Sequence, residues 1–120
     1  MESLGMLQTA AVLFVIAALG GLAMAGIRLF GKRNPPVWLT MVHGLVAAAG
    51  ITLLAYAAFT VGVPTPAFWA LVLFVVAAAG GAVLNLGYQW KQRPLPVGLM
   101  LGHAGLAIVA FVLLLTAALA

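Results

Sequence analysis

Four uninterrupted apolar stretches govern what this chain can fold into. They run over residues of about 4–30, 36–59, 66–90, and from 94 or 96 to 119. Each holds roughly 20–25 residues, enough for a helix to cross a bilayer. None alternates as a barrel strand would, and inside lipid only helices and closed barrels satisfy their own backbone groups. The chain is 67% hydrophobic and 5% charged over 120 residues, and a soluble domain of that size cannot hide so much apolar surface. The expected class is an all-α integral membrane protein with a single transmembrane domain over residues 1–120.

The links between the stretches are short. Gly31-Lys32-Arg33-Asn34-Pro35 joins the first pair, Thr60-Val61-Gly62-Val63-Pro64-Thr65 the middle pair, and Lys91-Gln92-Arg93-Pro94 the last. Prolines at or near the starts of the second, third and fourth segments suit the first helical turn, where a missing N–H costs nothing. Short links favour antiparallel neighbours, so the expected architecture is an up-down-up-down four-helix transmembrane bundle.

All five basic residues flank the first and third links: Arg28, Lys32, Arg33, Lys91 and Arg93. The other side carries Glu2, the uncharged middle link and an apolar C-terminus. The positive-inside rule then puts the basic links in the cytoplasm and both termini outside. A multi-pass protein of a bacterial-type inner (cytoplasmic) membrane is expected. The first segment lacks a basic leader and is too long for a signal peptide. The positive charge reads as topology and not as a nucleic-acid surface. With no cysteine, disulfides, thiolate metal sites and covalent c-type haem attachment are excluded.

The chain also matches itself at a shift of about 60 residues. Val12-Leu13-Phe14-Val15 aligns with Val72-Leu73-Phe74-Val75, and Ala17-Ala18-Leu19-Gly20-Gly21 with Ala77-Ala78-Ala79-Gly80-Gly81. Arg33, Pro36 and His43 align with Arg93, Pro96 and His103 without a gap. About 18 of 50 positions agree, where this composition gives roughly one in nine by chance. Two tandem helix-hairpin repeats are expected, one over about 5–60 and one over about 65–120, in parallel orientation about an axis along the membrane normal.

The retained residues define a candidate site. An ionisable side chain inside a membrane helix points to function, and each repeat keeps one histidine about two turns past its proline. His43 and His103 fall on the second and fourth helices, which are diagonal in such a bundle, at a common depth of about 10 Å from the basic helix ends. Two opposed imidazoles are the donor set for a haem iron. Gly20 and Gly21 on the first helix, and Gly80 and Gly81 on the third, leave room for close approach. Rise counting places these glycines several ångströms deeper than the histidines. Gly50 falls on the His43 face of its helix. The five basic residues are positioned to pair with haem propionates.

This pattern resembles the haem-carrying four-helix bundle of respiratory b-type cytochromes, in which histidines on helices two and four face glycines on helices one and three. The resemblance implies haem b held by His43 and His103, with Gly20, Gly21, Gly80 and Gly81 against the porphyrin. The second histidine of each ligand helix in that family is replaced here by Ala57 and Ala117. One haem is therefore implied, near the basic side. The implied role is electron transfer, or accessory work, beside a membrane redox partner or within a larger complex, and a homo-oligomer is compatible with it.

Other readings of the same residues stand beside it. Small residues pack transmembrane helices without any cofactor, so a structural or assembly subunit is the main alternative. A copper or zinc site, a small transporter and a proton path complete the set. Zinc normally takes three or four protein ligands, and the chain has two histidines. Glu2 is the only acid and there is no aspartate, which removes a Ser-His-Asp triad and a carboxylate-driven pump. An electron-transfer or accessory protein fits better than a stand-alone enzyme. Asn85 reads first as an interhelical hydrogen-bonding residue, with a haem edge or a histidine Nδ1 as the alternative partner. Met24, Met41 and Met100 read as core filling, and Trp38, Tyr88 and Trp90 as interfacial anchors.

Overall fold

In the computed structural model, which describes residues 2–120, the chain forms four long helices. Helix α1 spans Ser3–Phe30, α2 Val37–Thr60, α3 Thr65–Leu84 and α4 Val97–Ala118. Helix α3 runs on into a π-helical turn, Asn85–Gln89. All four are long and apolar enough to cross a membrane. Prolines 36, 64 and 96 sit immediately before α2, α3 and α4. Their carbonyls accept the first-turn bonds from Thr40, Phe68 and Met100. A proline has no N–H to satisfy but keeps its acceptor, so it starts a helix without leaving an unpaired donor.

The helices form an up-down bundle measuring 43 × 22 × 20 Å. Helix α1 packs mainly on α2 and α3 mainly on α4, while α1–α4 and α2–α3 contacts join the two hairpins. At one end Ser3 Oγ donates to Gly62 O (2.9 Å) and Gln8 Nε2 to Ala118 O (3.2 Å). The termini and the middle link therefore share that end. The two basic links share the other, called the basic end below.

The main buried cluster occupies the terminal half of the bundle, while Leu84, Leu95 and Met100 are buried separately at the basic end. Leu7, Ala10, Ala11 and Phe14 of α1 meet Leu54 of α2, Ala70, Leu71 and Phe74 of α3, and Ala110, Leu114 and Ala117 of α4. Phe14 and Phe74 stack across the axis, with ring centroids 3.7 Å apart and planes 2° from parallel. Towards the basic end this core stops at Ala17 and Ala77, both buried. Outside, large apolar side chains such as Leu19, Leu22, Leu45 and Val109 are exposed all round. A soluble bundle carries its charges on that surface. In lipid, burial of such groups gives little drive for association, so close packing and interhelical hydrogen bonds hold the helices together.

At the basic end the two links are laced to each other. Asn34 Nδ2 donates to Arg93 O (2.8 Å), and Leu95 N–H donates to Asn34 Oδ1 (3.0 Å). Arg28 Nε donates to Leu95 O (2.9 Å). Gln89, the last residue of the π turn, donates to Pro35 O and accepts from Thr40 Oγ1, both at 2.9 Å. Lys32 and Gln92 occupy the left-handed backbone region in the first and third links, with φ of 53° and 54°. The third segment was expected to continue as regular α-helix to residue 90. Instead Trp90 N–H bonds to Asn85 O, five residues back, which is the pattern of a π turn.

Candidate functional site

His43 and His103 come together in the basic half of the bundle, beyond the end of the main buried cluster. Their ring centroids are 6.2 Å apart and their planes 75° from parallel. Both side chains are half-buried. His43 Nδ1 lies 2.7 Å from Ala17 O, and His103 Nδ1 lies 2.7 Å from Ala77 O. A carbonyl oxygen only accepts, so Nδ1 carries the proton in both rings. In the neutral ring each Nε2 then keeps its lone pair, the form in which imidazole binds a metal ion.

The glycine pairs explain how an imidazole reaches a helical carbonyl. Ala17 O points along α1 towards the residues one turn on. Those residues are Gly20 and Gly21, so no side chain covers the oxygen. A Cβ on Gly21 would lie 3.1 Å from His43 Cε1, and one on Gly81 3.1 Å from His103 Cε1. At Gly20 and Gly80 the nearest histidine atoms would be 3.7 Å and 3.9 Å away, an ordinary contact. The carbonyl has a second lone pair, so it can serve its own helix and the imidazole together.

All six site residues expected from the sequence therefore meet in this structure: His43 with Gly20 and Gly21, His103 with Gly80 and Gly81. Their relative depth differs from rise counting. The glycines are level with the imidazoles and not several ångströms deeper. Rise counting assumed that both helices of a hairpin end at the same height. Here His43 lies six residues from the start of α2 while Gly20 lies ten from the end of α1, so their contact means that α2 starts deeper in the bundle than α1 ends.

Three other expectations change. Gly50 accommodates Phe14, whose ring atom Cζ would lie 2.9 Å from an added Cβ, so it belongs to the core and not to the histidine site. His103 Nδ1 bonds to Ala77 O and not to Asn85. Of the basic residues, Arg28, Lys32 and Arg33 line one cleft, whereas Arg93 lies over the Tyr88 ring at 5.4 Å. Ala57 and Ala117, where the resemblance would place second histidines, are 0% and 4% exposed inside the packed core. Gln89 and Asn34, which tie the links together, had no local signal beyond their polarity.

Among the described residues no three His, Cys, Asp or Glu side chains gather at one point. Comparison with protein-family models, curated proteins and solved structures found no match.

Proposed function

We propose that this chain is a small membrane b-type cytochrome that holds one haem through His43 and His103. The observation that carries this reading is the pair of imidazoles with both Nδ1 atoms committed to backbone carbonyls and ring centroids 6.2 Å apart. His43 and His103 would hold the iron through Nε2, the ring nitrogen that neither carbonyl engages. A backbone acceptor on the far ring nitrogen fixes the tautomer and orientation and raises the basicity of the ligating nitrogen. The main buried cluster ends at the level of Ala17 and Ala77, so the donor set lies outside it. Bound haem would supply one-electron chemistry, tuned by its axial ligands and its burial.

The chain's own residues set the limits of that role. The terminal half, where Ala57 and Ala117 are buried, accommodates no second haem. Transfer across the whole membrane would need a partner, so the protein serves beside a membrane redox protein or within a larger complex. The positive-inside rule puts the basic end in the cytoplasm and both termini outside. The two hairpins are read as tandem copies of one ancestral unit, because corresponding residues make corresponding contacts.

The test is spectroscopic. Protein purified from haem-sufficient cells should show a b-type Soret band and a reduced α-band, and a colourless, well-folded preparation would sink the proposal. His43→Ala and His103→Ala should each abolish the low-spin six-coordinate spectrum. Each should change the stability of the haem-free chain little, since interhelical hydrogen bonds in membranes are worth about 0.6 kcal/mol on average.

A second reading rests on a different observation. The space beside Gly21 and Gly81 is taken by the imidazoles themselves. A cofactor-free structural or assembly subunit would use the same two histidines as clasps inside each hairpin. In that case the preparation is colourless, and the histidine substitutions have no spectral effect.

A further inference from the structure

A cleft of about 420 Å³ opens at the basic end, beside the first link. Its volume lies within the range of about 300–1,000 Å³ typical of small-ligand sites. Arg28, Lys32 and Arg33 line it, together with Asn34 and Gln92. Glu2, the only acidic side chain of the protein, is at the opposite end of the bundle, so no side-chain carboxylate neutralises these cations. Arg28 uses Nε to hold Leu95 O, which fixes its guanidinium at the cleft. Pro36 and Val37 place the start of α2 in the same wall, and the helix dipole adds partial positive charge there.

We propose that this cleft binds the headgroup of an anionic phospholipid, with its phosphate held by Arg28, Lys32 and Arg33. Concentrated, unpaired positive charge in a recess calls for an anion, and guanidinium groups match phosphate oxygens in charge and geometry. The surroundings select a lipid over a free anion. Phe30, Trp38 and Trp90 at the same end are 87%, 67% and 71% exposed, and aromatic rings so placed sit at headgroup level. Basic recesses between transmembrane helices on the cytoplasmic side are suited to anionic headgroups. The second half of the chain does not repeat the site: Tyr88 and Gln92 stand where the first half has Arg28 and Lys32. Binding would be one headgroup per chain, beside the link that ties the two hairpins together.

The experiment uses the full chain in neutral detergent, with phosphatidylglycerol, phosphatidylcholine and inorganic phosphate as probes. Native mass spectrometry reads retained lipid, and thermal unfolding reads stabilisation. Phosphatidylglycerol should be retained at one molecule per chain, and the other two probes should not bind. The double variant Lys32→Gln/Arg33→Gln should bind it about tenfold or more weakly, the scale set by two surface cations. Lys91→Gln/Arg93→Gln removes the same charge away from the cleft and should stay within about twofold of wild type. His43→Ala should bind the lipid as wild type does, which separates this site from the haem. Equal loss in both double variants would reduce the effect to diffuse surface charge and overturn the site. Protection by inorganic phosphate equal to that by the lipid would overturn the lipid assignment. Loss of haem without loss of lipid in the cleft variant would reassign the cations to haem propionates. Should that variant fail to fold, the salt dependence of lipid binding to wild type decides, and a flat dependence overturns the proposal.

Discussion

Gly21 and His43 pack so closely that a single methyl group on the glycine would stand 3.1 Å from the imidazole Cε1. The ring cannot retreat freely, because its Nδ1 is held 2.7 Å from Ala17 O. Gly81 and His103 repeat the contact on the other hairpin. One residue earlier, at Gly20 and Gly80, a methyl group fits.

Alanine should therefore act in opposite senses at adjacent positions. Gly21→Ala or Gly81→Ala should destabilise the protein by about 1–2 kcal/mol, within the range for overpacking, and disturb any haem spectrum. Gly20→Ala or Gly80→Ala should be neutral or slightly stabilising, since alanine favours a helix by up to about 1 kcal/mol over glycine. Thermal unfolding of the four single variants checks the contrast, and equal effects at both positions would contradict the packing described.

The terminal half should respond most at its aromatic pair. Phe14→Ala removes one face of the 3.7 Å stack and should cost about 3 kcal/mol, in line with large-to-small core changes. Gly50→Ala places a methyl group 2.9 Å from the Phe14 ring, which is backed by Phe74 and cannot move aside. It should destabilise by about 1–3 kcal/mol. Unfolding in a detergent–denaturant series measures both, and a Gly50→Ala protein as stable as wild type would refute the close contact.

Installing the missing histidines gives a separate check on the core. Ala57→His with Ala117→His would complete the family pattern on paper. Both positions are buried, at 0% and 4% exposure, so the double variant should lose folded yield and acquire no second haem. Haem content per chain and recovery of monodisperse protein give the answer.

Asn34 should matter more than an exposed link residue ordinarily does. Its side chain both donates to Arg93 O and accepts from Leu95 N–H, and those bonds join the two basic links. Asn34→Ala should cost about 1–3 kcal/mol, because it leaves a partly buried backbone donor unpaired. Hydrogen exchange at Leu95 should accelerate, with the terminal half unchanged.

Much of this architecture was readable in order along the chain. Lengths of apolar runs predict four spanning helices, the prolines mark the helix starts, and the placement of five basic residues gathers two links at one end. Helix formation in lipid depends on residues within each segment, so local composition is enough. The agreement between the halves also pointed to His43, His103 and the glycine pairs, all of which meet in the bundle. What each small residue faces is a different matter. Gly21 uncovers a carbonyl for His43, Gly50 receives Phe14, and the main buried cluster ends at the level of Ala17 and Ala77. Those outcomes depend on the rotation of each helix about its axis and on how far α2 is offset from α1. Both are set by the simultaneous packing of all four helices, which no single segment encodes.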